Sequence, residues 1–135
     1  FDTFHRVRGV LDGLGDATVT IVVAGTNSRA SGQAAGGLVL DRAHPPTAVV
    51  AVSDVMALCF MDACRQRGLE PGRDISVTGF DDLPESAAAG LTTIHQPVRD
   101  KGRLAAELLL DPERTERRII LPHELIVRSS TRPVA

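Results

Sequence analysis

Aromatic side chains are nearly absent, with four Phe, no Trp and no Tyr among 135 residues, 3% of the chain. That scarcity excludes a base-stacking platform and an aromatic-walled lectin groove. Lysine occurs once, so 14 of the 15 basic residues are Arg, and the net charge is −2. No stretch packs Lys and Arg densely enough to track phosphates, which excludes a generally basic nucleic-acid binder. The two cysteines, Cys59 and Cys64, lie five apart with no CxxC. On a helix that spacing puts them on different faces, which argues against a disulfide and for buried, reduced thiols in a cytosolic protein. No apolar run approaches the ~20 residues of a membrane span. The opening FDTFHRVRGV contains neither a signal peptide nor an initiator Met and reads as mid-domain sequence, so a fragment is expected. With 43% hydrophobic residues, the chain is one domain's worth and can bury a core.

Helical spacing of Phe4, Val7, Val10, Leu11 and Leu14 predicts a helix over Phe1–Leu14. Val19–Ala24 is a β-branched run expected as a strand, and Ser31–Leu40 a weak helix containing three glycines. Further strands are expected at Ala48–Val52, Ile75–Phe80 and Thr92–His95, with a final pair at Ile119–Leu121 and Glu124–Val127. Helices are expected at Val55–Arg67, stopped by Gly68, and at Arg99–Leu110, with Leu104, Ala105, Leu108 and Leu109 inward. Apolar strands alternating with helices predict an α/β fold, a three-layer α/β/α parallel sheet. The chain opens on a helix, whereas the first strand of a doubly wound sheet is commonly central. A gap is therefore expected, filled by another chain, a rearranged sheet or a segment outside this one.

Ligands of open α/β sheets bind beyond the carboxyl ends of the strands. Those ends are Thr26-Asn27, Ser53-Asp54 and Asp81-Asp82, a palette of small polar groups and carboxylates suited to hydroxyls. Ser53 or Asp54 can equally cap the helix that follows. Asp81-Asp82 precedes no obvious helical pattern, which favours a site. Catalysis finds no support: GxSxG, GxxxxGK[ST] and a strand-borne GxGxxG are missing, and adjacent carboxylates diverge. His5, His44, His95 and His123 share no metal-ligand spacing, and no cofactor is implied. The glycines of SGQAAGG fit helix packing better than any phosphate loop. Val55–Met61 (VMALCFM) is apolar around the whole helix, so that helix is either sandwiched within the chain or meets a partner subunit; the partner is favoured.

The run PTAVVAVSDVMALCFMDACRQRGLEPGRDISVTGFDD, then LTTIHQP, then Gly102 with Ala105 and Leu108, then ELIVRSST, resembles the lac repressor/gal repressor family of bacterial transcription regulators. The resemblance implies a periplasmic-binding-protein-like type I fold with a Rossmann-like subdomain, lacking its first strand. Residues 1–135 would be the C-terminal portion of an effector-binding domain. It also implies a small-molecule effector, sugar or nucleoside-like, and a homodimer in the cytoplasm. Operator DNA would be held only through a helix-turn-helix outside this chain. In Arg6-Val7-Arg8-Gly9 the family's pattern makes Arg6 a ligand clamp. Ser53 stands where Asn is usual, Asp81 becomes the ligand-accepting carboxylate, and Gln96 falls near the hinge. Asn27 replaces a stacking aromatic. The dimer surface would comprise Val55, Met56, Leu58 and Cys59 with Leu83 and Ser86 of the following loop. Cys59 stands where Gly is usual, which predicts looser packing there, and Ala89-Gly90 replaces a Pro in the subunit-contact loop. A periplasmic sugar-binding subunit of a transporter is the alternative.

Overall fold

A computed structural model of the chain describes residues 2–111, 113, 115 and 118–133. Phe1, the expected start of the first helix, lies outside them. The elements follow in the order α1 (Asp2–Leu14), α2 (Arg29–Leu40), β1 (Ala48–Val50), α3 (Asp54–Gln66), β2 (Ser76–Thr78), α4 (Pro84–Ala88), β3 (Thr93–His95), α5 (Val98–Leu110) and β4 (Glu124–Ile126). β1 runs parallel to β2 in the register Ala48–Ser76, Val49–Val77, Val50–Thr78. Parallel bridges Thr78–Thr92 and Asp81–His95 carry the pairing on towards β3. β4 then closes antiparallel on β3, Thr93 facing Ile126 and His95 facing Glu124. The α/β class and its parallel strands are as the alternation predicts, with an antiparallel edge added.

The core gathers between α2, α3 and the strands: Val39 and Leu40 meet Phe60, Met61, Ala63 and Cys64, with Ile75, Val77 and Leu91 beneath. Two glycines make this possible. A Cβ on Gly36 would sit 2.6 Å from Ala63 Cβ, and one on Gly32 would sit 2.8 Å from Cys59 Cβ. The helix backbones therefore approach as closely as two bare glycines allow. The expectation of looser packing at Cys59 is overturned, because its thiol-bearing carbon fills the notch that Gly32 leaves. The all-round apolar character of Val55–Met61 has the same origin: Ala57, Cys59, Phe60 and Met61 are buried within this chain. Of the two readings of that helix, the in-chain sandwich accounts for these four positions.

Three expectations need correcting. Residues 19–24 form no strand, because β-branched propensity alone makes no strand without a ladder partner, and this run pairs with neither β1 nor β2. Residues 119–121 are likewise outside any strand, leaving β4 alone on β3 instead of a final strand pair. In α5 only Leu104 and Leu108 of the expected inward set are half-buried; Ala105 is exposed and Leu109 is 86% exposed. The helix faces the irregular 118–121 segment across a groove of about 480 Å³, too open to cover a full apolar stripe.

Both cysteines are free and buried. Burial raises both thiols and pushes Cys64 up to about 11, so little thiolate exists at neutral pH. Iodoacetamide at neutral pH is expected to leave both unmodified in the folded chain and to label both in denaturant, read by mass spectrometry. The glycine notch gives a second expectation. Gly36→Val should lower stability by about 2 kcal/mol through overpacking against Ala63, measured by urea denaturation. Gly9→Ala, where an added Cβ meets nothing within 4 Å, should instead raise it by up to about 1 kcal/mol.

Candidate functional site

β1 and β2 both run out at the same edge, and the residues just beyond them converge there. β1 ends towards Ser53, whose extended backbone and hydroxyl cap α3 by accepting from Met56 N at 3.4 Å. The same hydroxyl donates to Asn27 Oδ1 at 2.5 Å, and Ser53 is only 1% exposed. The capping alternative for Ser53 is thus the one realised. Asn27 itself is exposed.

β2 continues through Gly79 and Phe80 into two consecutive aspartates with positive φ, Asp81 at 126° and Asp82 at 58°. Non-glycine residues rarely adopt such values, at about 1–3 kcal/mol each, and sites are where they persist. Backbone bonds enforce the turn: Asp54 N donates to Phe80 O at 2.8 Å and Asp81 N to Ile94 O at 3.0 Å. Below it, the fully buried Asp54 carboxylate accepts from Thr93 Oγ1 at 2.5 Å, Ser86 Oγ at 2.5 Å and Leu83 N at 2.9 Å. A helix does follow Asp81-Asp82, contrary to expectation. It is the five-residue α4, too short to show a pattern, held by that carboxylate rather than by periodic apolar contacts.

The strained turn delivers Asp81 to two partners from distant elements. Arg6 of α1 lies 3.6 Å from Asp81 Oδ1, donates to Val52 O at 2.6 Å and rests its guanidinium over the Phe80 ring at 4.0 Å. Stacking, a carbonyl and a nearby carboxylate together fix a side chain that otherwise has many rotamers. From the other side Gln96 Nε2 donates to Asp81 Oδ1 at 2.7 Å, and Gln96 Oε1 accepts from Lys101 Nζ. The turn, Gln96 and the start of α5 line a cleft of about 610 Å³, together with Asp82, Leu83, His95, Arg99 and Asp100.

The structure therefore brings Arg6 and Gln96 together on Asp81, the first by an ion pair and the second by a hydrogen bond, with Asn27 and Ser53 paired one residue beyond Val52, to which Arg6 is bonded. Sequence reasoning missed Phe80 as a stacking floor and Lys101 as the partner of Gln96. It also missed the partners of Asp82, an ion pair with Arg128 Nη2 at 2.8 Å and a hydrogen bond with His95 Nδ1 at 2.9 Å. The single lysine was visible as an oddity, but its target lies five residues earlier across a turn. Of the expected dimer residues, Val55, Met56, Leu58 and Leu83 are half-buried, whereas Cys59 and Ser86 are buried inside this chain. Ser86 spends its hydroxyl on Asp54, so neither can offer a side chain to a partner. Among the described residues no group of His, Cys, Asp and Glu could hold a metal ion. No described helix is long and apolar enough to cross a membrane.

The periplasmic binding protein-like domain matches residues 6–131. The transcriptional regulator DegA of Bacillus subtilis is 36% identical over 140 residues, covering 96% of this chain and 41% of that protein. Among solved structures, the lac repressor bound to ONPG superposes with a TM-score of 0.85 at 31% identity, over 96% of this chain and 42% of the repressor. A LacI family regulator from Arthrobacter in complex with lactose gives 0.78 at 29% identity, over 93% of this chain and 49% of its own. The chain thus spans less than half the length of each. These relatives are regulators, not enzymes, and the transporter alternative is not favoured.

Asp82 supplies a test of the turn. The Arg128 hydrogen bond, then that of His95, holds its carboxyl below the ordinary carboxylate range against the opposing effect of burial. A depressed folded pKa stabilises fully above the unfolded value of about 3.9, and the gain is lost as pH falls through the folded value. Arg128→Met should therefore lose less stability than the parent chain between about pH 6 and about pH 3, compared by urea denaturation. Equal losses would remove Arg128 as the cause.

Proposed function

The chain belongs to the lac repressor/gal repressor family, in that family's periplasmic-binding-protein-like domain, and on that footing we propose that it is the C-terminal portion of an effector-binding domain. Its ligand is a small polar metabolite, a sugar or nucleoside-like compound. Occupancy of the cleft controls operator binding by a helix-turn-helix outside this chain. The observation that carries the reading is the convergence of Arg6, Asp81 and Gln96 at the strand ends, beside Asn27. A carboxylate that accepts, a guanidinium fork that donates and an amide that does both are what a polyhydroxylated ligand requires. The complex of the Arthrobacter relative with lactose supports a sugar.

Each residue has a definable task. Asp81, aimed outward by its strained backbone, accepts from ligand hydroxyls. Arg6, immobilised on Phe80, donates to ligand oxygens with little further entropy to lose. Gln96 ties the cleft floor to α5, so anything that engages Asp81 also bears on that helix. Control then needs only a difference in affinity between two arrangements of the domain. The half-buried Val55, Met56 and Leu58 of α3, with Leu83, form the surface offered to a second copy. Cys59 and Ser86 shape that surface from behind. A cytoplasmic location is part of this reading, and the regulator relatives support it.

A thermal-shift screen of the full-length protein against pentoses, hexoses, disaccharides, nucleosides and purines tests this directly. A binder at about 100 times its Kd adds roughly 2.7 kcal/mol. In Asp81→Ala, or in Asp81→Asn, which tolerates positive φ better, the ligand-induced shift should vanish while the unliganded melt persists. A shift of undiminished size in both variants would dismiss Asp81 as the ligand's acceptor.

A further inference from the structure

The one lysine of the chain occupies an unusual electrostatic position. Lys101 sits one turn into α5, half-buried, and its ammonium donates to the neutral amide oxygen of Gln96. No carboxylate of a described residue lies within ion-pair distance of it, although acids stand nearby. Asp81 is bonded to Gln96 Nε2 and faced by Arg6. Asp82 has one oxygen on Arg128 and the other on His95. Asp100, the remaining acid of the cleft, points to Arg103 at 3.4 Å. A half-buried cation whose described partner is a neutral amide can still take a charge-assisted bond from an anion. On its other side Lys101 lines the groove between α5 and residues 118–121, and the described residues of that groove include no carboxylate.

Gln96 links this cation to the site. Its amide is spent at both ends, the oxygen on Lys101 and the nitrogen on Asp81, which holds the ammonium close to the ligand's acceptor. A ligand bearing hydroxyls and one anionic group would satisfy both demands at once. Its hydroxyls would donate to Asp81 while its anion met Lys101 in a charge-assisted bond, about twice as strong as a neutral one.

Building on the effector-sensor reading above, we propose that the effector is an anionic sugar derivative, carrying a carboxylate or a phosphate, and that Lys101 is the residue that selects it.

Calorimetric titration of the full-length protein with matched pairs tests this: glucose with glucuronate and glucose 6-phosphate, galactose with galacturonate, and ribose with ribose 5-phosphate. An anionic member is expected to bind about tenfold or more tightly than its neutral parent, the factor that one charge-assisted bond supplies. Uronate against phosphate identifies the anion. The preference should narrow as salt is raised. Lys101→Gln should bring the ratio of the two affinities close to one, and Lys101→Arg should retain it, with circular dichroism verifying that both variants fold. Neutral parents binding as tightly as their anions would overturn the proposal and leave the sensor reading standing. A ratio unchanged in Lys101→Gln would overturn the role of Lys101 alone. Failure of every pair to bind the folded protein would count against both.

Discussion

The carboxylate of Asp54 is the joint on which this chain turns. It is fully buried, and it accepts from Thr93, Ser86 and the Leu83 backbone while its own N–H donates to Phe80 O. One residue at the start of α3 thereby fixes the end of β2, the whole of α4 and the first residue of β3. Three strong donors are what make a charge tolerable in such a place, since an unpaired buried carboxylate would neutralise or open the fold. Gly79 is part of the same constraint, because any Cβ there would strike the Asp54 side chain. The strained pair Asp81-Asp82 is held by this anchoring rather than by any preference of its own.

Strain and anchoring divide the labour between neighbouring aspartates. Asp54 is silent towards solvent and structural. Asp82 is paired with Arg128 and hydrogen-bonded to His95, which ties the turn to β3 and to the segment after β4. Asp81 keeps its place at the cleft, touched by Arg6 from α1 and by Gln96 from the segment between β3 and α5. A cleft built this way joins α1, the β2 turn and the start of α5 by a few directional contacts. Such contacts are easily biased between two arrangements by a ligand that bonds to the same atoms.

Close helix packing has a similar logic. Gly32 and Gly36 let α2 settle on α3, and Cys59 and Ala63 fill the space so created. What looked like an apolar circumference awaiting a partner is half consumed inside the chain. Val55, Met56 and Leu58 stay half-buried, although the Met56 backbone lies against Gly32 and Leu58 packs on the core. Side-chain size on one helix thus sets how closely its neighbour can approach.

Periodicity and strand-end chemistry were legible without coordinates. The α/β alternation, the helices and strands that flank the site, and the choice of Arg6, Asn27, Ser53, Asp81 and Gln96 followed from local pattern and from the resemblance those motifs carry. The runs at 19–24 and 119–121 were misread because a strand is defined by its neighbour, and propensity does not supply one. Local pattern favoured Ser53 as a cap and the resemblance made it a ligand contact; the bond from Met56 N realises the cap. The sequence by itself determined the α/β class, the family and the set of polar residues at the strand ends, since these depend on spacing along the chain. Tertiary structure decided which aspartate is buried, which is paired and which is presented, and that Lys101 meets Gln96. Those outcomes depend on distances between residues far apart in sequence, such as Asp54 with Thr93 or Asp82 with Arg128, and no local spacing encodes them.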